Sequence, residues 1–268
     1  MVGEIQYANS GDAYVAYQVL GDGPRDLLVV MEGFIPVDTM DDEPRLARSM
    51  ARLRSFARLV RFDRRGIGLS DPIAPTDPPT LEQWVGDAVA VLDAAGSPQA
   101  VVLASAEASP VALLLAASHP QRVGALVIVN GFARARVDVG YPQGIAAEIL
   151  DQMVVDSTDP SPAEVTVDWV AQFAPSAAGD EQFRQWWDRT GRRGASPTTA
   201  RALLRVALES DVRAVLGTIR VPTLVVQLTG QPVIRAGGYI AEHVPGAVFV
   251  EIAGRDDYWW AADAAATV

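Results

Sequence analysis

Short apolar runs alternate with stretches of helical periodicity over most of this chain. Residues 14–19 and 26–31 read as strands, parted by the turn residues Gly21-Asp22-Gly23-Pro24. Residues 46–55 carry apolar positions at helical spacing, and 57–62 read as the next strand. A glycine-bearing loop follows, Asp63-Arg64-Arg65-Gly66-Ile67-Gly68-Leu69-Ser70-Asp71. Residues 81–95 predict an amphipathic helix that stops at Gly96. Strands at 100–103 and 125–129 bracket an apolar helix at 111–117. Between about 131 and 211 the rhythm changes: no clear strand, Pro-rich breaks, and four helical patterns at 145–154, 165–173, 180–190 and 198–210. Strands return at 221–228 and 247–252, around a helix at 236–243. Strands alternating with helices predict a mostly parallel α/β sheet with right-handed crossovers. The changed stretch predicts a helical cap at 132–210, inserted between core segments 1–131 and 211–268.

The junction between the strand at 100–103 and the helix at 111–117 is the most telling segment. It reads Ala104-Ser105-Ala106-Glu107-Ala108-Ser109-Pro110. Strand, tight turn of small residues, helix is the context of the G-x-S-x-G nucleophile elbow. The turn is too sharp for side chains two before and two after its apex, and Ala104 and Ala108 meet that demand. The apex itself is Ala106, which has no atom able to attack a substrate.

Composition narrows the class. At 268 residues, 49% hydrophobic and 21% charged, the chain suits one large α/β domain with an insertion. A formal net charge of −11 disfavours nucleic acid and anionic membranes as partners. All 22 basic residues are Arg, which reads as compositional bias before anion recognition. With no Cys and two separated His, disulfides and metal-ligand spacings are excluded, and no cofactor motif is present. Gly66-Ile67-Gly68 is too short and wrongly placed for a dinucleotide fingerprint. The first residues lack the pattern of a signal peptide and no apolar run reaches membrane-spanning length, so the expectation is a cytoplasmic protein.

Taken together, Ile5-Gln6-Tyr7-Ala8, Val15 to Val19, Phe62 to Asp71, Phe173 to Trp187 and Arg220-Val221-Pro222-Thr223-Leu224-Val225-Val226 resemble the α/β-hydrolase fold. The likeness is greatest to actinobacterial members found alone or fused to adenylate cyclase or regulator domains. It covers nearly the whole chain and implies an eight-stranded, mostly parallel sheet with flanking helices and the inserted cap. It also implies an elbow Ser, an acid after the strand at 224–228 and a His after the last strand. Each of these positions departs here. The elbow is Ala106, Thr229-Gly230-Gln231 stands for Thr-Gly-Asp, and Gly254-Arg255-Asp256-Asp257 stands for Gly-x-Asp-His. An alternative acid site falls at Asn130, another amide. His119 and His243 both read as residues at helix ends, far along the chain from these loops.

The oxyanion hole uses backbone N–H groups and can outlast the triad. The resemblance places its donors at Phe34 and Glu107, with Glu32 where relatives often carry His or Pro. Three carboxylates, Glu32, Glu107 and Asp257, are therefore candidates for acid/base work, clustered acids raising at least one pKa. Against this stands a structural role for Glu107 and a solvated Asp257. Asp63 and Arg64 are expected to tie their loop beneath the elbow. Tyr258-Trp259-Trp260 and Trp186 are expected to join Phe34 and Ala106 around a small hydrophobic molecule, with core packing as the plainer reading of the tryptophans. A homodimer stays open. These positions lead to the expectation of non-hydrolytic acid/base chemistry on such a molecule, of lyase, isomerase or natural-product cyclase type. An inactive pseudo-hydrolase that binds an apolar ligand or regulates a partner is the alternative. A hydrolase with its nucleophile moved to Ser105 or Ser109 comes last, because no His is placed to activate either.

Overall fold

The computed structural model describes residues 3–158, 167–230 and 235–261. One eight-stranded sheet runs through it in the order β1-β2-β4-β3-β5-β6-β7-β8. The strands are β1 (Gln6–Ser10), β2 (Ala13–Leu20), β3 (Asp26–Val30), β4 (Arg58–Phe62), β5 (Ala100–Ser105), β6 (Val123–Val129), β7 (Thr223–Leu228) and β8 (Val248–Ile252). β1 pairs antiparallel with β2, and β2 antiparallel with β4; every pairing from β4 through β8 is parallel. The sequence pattern did not announce β1, because only Ala8 of its five residues is buried and no alternation results.

Helices cover both faces. They are α1 (Pro44–Arg54), α2 (Leu81–Ala94), α3 (Ser109–Ser118), α4 (Ala147–Thr158), α5 (Trp169–Phe173), α6 (Glu181–Gly194), α7 (Pro197–Glu209), α8 (Arg213–Leu216) and α9 (Gly237–His243). The core lies on either side of the central strands. Leu28, Val60, Val102 and Leu126 pack beneath α2 and α3, and Leu27, Leu59, Leu103 and Val226 face the opposite layer. The helix expected over 165–173 is helical only from Trp169, where Asp168 caps it by accepting from the Ala171 N–H at 3.1 Å. Its first two residues lie outside the described part of the chain.

The topology fixes where a ligand can sit. From β3 the chain moves outward to β4 and then crosses back to β5 on the other side of β3. The loops leaving β3 and β5 therefore diverge and open a crevice at their carboxyl ends. Helices α4 to α8 all fall between β6 and β7 in the chain, and several of them roof this crevice.

Candidate active site

At the end of β5 the chain turns sharply through Ala106–Ala108 into α3, and Ala106 holds φ = 44°. A left-handed backbone is costly for any residue with a Cβ. The strained apex of a nucleophile elbow is thus present with a methyl group at its tip. Across the crevice, β3 runs into Met31-Glu32-Gly33-Phe34. Gly33 has φ = 67°, a left-handed backbone that favours glycine, and a Cβ there would stand 3.2 Å from the Tyr258 hydroxyl.

Between these loops and the helices above lies a cavity of about 190 Å³ with a mainly apolar wall. Phe34, Ala106, Glu107, Trp186, Asp257 and Tyr258 all line it. Trp259 and Trp260 do not. Both are buried in the layer behind, where Trp260 stacks on Tyr258 at 5.6 Å and meets Trp186 edge-on at 5.8 Å. Glu32 also stands behind the wall, 1% exposed. It accepts from the Ser105 hydroxyl and, at 2.6 Å, from the Trp260 indole N–H. Burial lifts its carboxyl to about 7, against the Ser105 hydrogen bond and with the charge of Glu107 pushing the same way. Burial, more than the clustering of acids, causes the rise.

Glu107 spans the crevice. Its carboxylate accepts from the Gly33 N–H and lies 3.8 Å from the Arg64 guanidinium, so it clamps the β3 loop to the elbow. Arg64 is buried, lies over the Trp84 ring at 5.0 Å and donates to the Gly33 carbonyl at 3.3 Å. Burial lowers its pKa. Asp63 accepts from the Val37 and Leu69 N–H groups at 2.8 and 2.9 Å, which fastens the loop below.

Asp257 is positioned by its backbone. Its N–H donates to the Phe173 carbonyl at 2.8 Å, and its own carbonyl accepts from Asn130 Nδ2 at 2.9 Å. The same Nδ2 donates to the Asp256 carbonyl at 3.1 Å, while Asn130 Oδ1 accepts from the Leu228 N–H at 2.9 Å. An amide is needed here because a carboxylate cannot donate to two carbonyls. Asn130 therefore sews β6, β7 and the loop carrying Asp257 together. Neither Ser105 nor Ser109 lines the cavity, since Ser105 is spent on Glu32 and Ser109 is packed against Gly131. His119 caps the end of α3 and His243 stacks on Tyr239 at 3.8 Å, both away from the cavity. Gln231 lies outside the described residues. Sequence reasoning missed Asn130 as a clamp, and missed Phe173, Trp169 and Thr190 as wall residues.

No protein-family model matches the chain. It is 26% identical over 249 residues to a probable esterase of rice (Oryza sativa subsp. japonica), across 88% of this chain and 85% of that one. The crystal structure of the enol-lactonase from Burkholderia xenovorans LB400 superposes with a TM-score of 0.76 at 18% identity, covering 95% of this chain and 94% of that chain. The esterase RhEst1 from Rhodococcus sp. ECU1013 does so with a TM-score of 0.78 at 20% identity, over 97% and 94%. The chain has the α/β-hydrolase fold. The structural likenesses carry the fold, and what those proteins act on is their own. Their names do overturn the expectation of lyase, isomerase or cyclase chemistry, because the similar proteins are a probable esterase, an enol-lactonase and a second esterase. Nor do they support an inactive binder. Among the described residues no group of side chains is arranged to hold a metal ion, and no helix is long and apolar enough to cross a membrane.

Proposed function

We propose that this α/β-hydrolase hydrolyses a compact, mainly apolar ester or lactone, with water taking the part of the missing serine. The observation that carries the proposal is that Asp257 and Ala106 share one cavity wall with Phe34 and Glu107. The Ala106 methyl leaves room above the elbow apex for the attacking oxygen. Asp257 is given the part of base because it lines the cavity and stands in the loop where the resemblance places the family's His. Glu107 is engaged by Gly33 and Arg64, and Glu32 stands behind the wall.

Asp257 takes a proton from water as the water oxygen bonds to the acyl carbon. The carbonyl oxygen becomes an oxyanion facing the N–H groups of Phe34 and Glu107. When the tetrahedral carbon collapses, the acyl C–O bond breaks and the alkoxide recovers the proton from Asp257. One water is consumed and an acid and an alcohol leave. A carboxylate is a weaker base than imidazole, so turnover is fastest on activated esters.

The test is hydrolysis of 4-nitrophenyl acetate, phenyl acetate and γ-lactones in ¹⁸O-labelled water. Product acid above a heat-denatured control should carry the label, and fluorophosphonates should label no serine. Asp257→Asn should lower kcat/KM by about 10²–10⁴-fold. No turnover of any member of the panel, full activity in the Asn variant, or stoichiometric serine labelling would each overturn the proposal.

A further inference from the structure

Two polar groups of cavity-wall residues have no hydrogen-bond partner. Thr190 Oγ1 and Trp169 Nε1 are both closed off from water and paired with nothing. A helical threonine ordinarily turns its hydroxyl onto the carbonyl one turn back. Thr190, on α6 and 2% exposed, does not. Leaving such a group unsatisfied costs about 1–3 kcal/mol. Both residues line a ligand-sized cavity, and a rotamer change that turns each group into it lets the acceptors of a ligand relieve that cost.

The two groups mark opposite ends. Thr190 lies one turn before Gly194, on the same face of α6, and Gly194 rests against the Phe34 carbonyl. Thr190 is thus at the elbow end. Trp169 stacks on Phe173 at 5.5 Å, and Phe173 stacks in turn on Tyr258 at 5.5 Å. Tyr258 holds its hydroxyl against Gly33. The Trp169 indole therefore stands two ring spacings from the oxyanion loop, at the far end of an aromatic wall.

We infer that Thr190 and Trp169 are specificity-determining residues that select a flat carbonyl compound bearing a second oxygen acceptor across a ring from the first. The Thr190 hydroxyl donates to the carbonyl oxygen at the elbow, and the Trp169 N–H donates to the remote oxygen. The inference rests on the reading of this cavity as the seat of a carbonyl substrate, so its test uses ketones, which cannot be hydrolysed. Calorimetric titration of the full chain compares 1,4-diacetylbenzene with 4-isopropylacetophenone, which keeps the shape and loses one oxygen. The wild type should bind the diketone about tenfold more tightly, the worth of one well-placed hydrogen bond. Trp169→Phe should erase that preference and leave the affinity for 4-isopropylacetophenone unchanged, which also shows that the variant is folded. Thr190→Val should weaken both ketones by about tenfold, and Thr190→Ser should bind as the wild type does. Equal affinities in the wild type, binding of neither ketone, or the same pattern in the variants as in the wild type would overturn the assignment. If the pattern holds while no ester is turned over, the hydrolytic reading falls and the recognition pair stands.

Discussion

Ala106 carries the conformational cost of a nucleophile elbow without carrying a nucleophile. Its φ of 44° costs about 1–2 kcal/mol relative to a right-handed backbone. Glycine would relieve that strain and lose roughly 0.5–1 kcal/mol of it to chain entropy. Ala106→Gly should therefore raise the unfolding free energy by about 0.5–1 kcal/mol, read by urea denaturation. A loss of stability would mean that the methyl packs well enough to outweigh the strain. At this scale the legible residues were those answering to local rules. Ala104 and Ala108 were readable because a sharp turn admits only small side chains, and Phe34 and Glu107, expected as oxyanion donors, both line the cavity. Asn130 was not readable as a clamp, because its carbonyl partners lie 126 and 127 positions further along the chain. Trp259 and Trp260 illustrate the same limit. Three consecutive aromatics must face different ways, and only the packed structure decides that Tyr258 takes the cavity.

Elements were legible in proportion to how fully they are buried. The central strands β3, β5 and β6 are nearly continuous apolar runs covered on both faces, and they stand out in the sequence. The edges do not. β1 shows a single buried residue, and β8, expected as an ordinary sheet strand, exposes Val248, Phe249 and Val250 at the rim. The contact between α6 and the β3 loop is the element-level feature that bears most on function. A Cβ on Gly194 would stand 2.1 Å from the Phe34 carbonyl oxygen, backbone against backbone. Gly194→Ala must push α6 away from the loop that carries the Phe34 N–H. Overpacking of this kind costs typically about 1–3 kcal/mol. Because the shifted loop holds the proposed oxyanion donor, kcat for ester hydrolysis should fall at least tenfold. Steady-state kinetics beside thermal melts check both parts, and unchanged kcat in a folded variant would show that the helix does not set the loop position.

At the scale of the whole molecule, two of the buried carboxyl groups, Glu32 and Asp63, have raised pKa values that bear on the pH dependence of stability. Burial lifts Glu32 from 4.5 to about 7, and lifts Asp63 from 3.8 to about 7 despite its two backbone hydrogen bonds. Both groups bind protons more tightly folded than unfolded, so each favours the fold fully below its unfolded pKa. That contribution fades as pH rises through the folded value. For Glu32 the difference is worth roughly 3 kcal/mol, and Asp63 acts with the same sign. The net charge of −11 at pH 7 adds self-repulsion in the same direction, so a pH profile of the wild type alone does not isolate the acids. Glu32→Gln does. A glutamine can present its carbonyl to the Trp260 N–H and its amide to the Ser105 oxygen, the pattern of the neutral acid. The wild-type unfolding free energy in urea should fall between pH 5 and pH 8. The Gln variant should match it near pH 4 and exceed it by about 3 kcal/mol at pH 8. Parallel profiles for the two proteins would place the charge of Glu32 against a compensating cation, for which the buried Arg64, its pKa held up by the charge of Glu32, is the candidate.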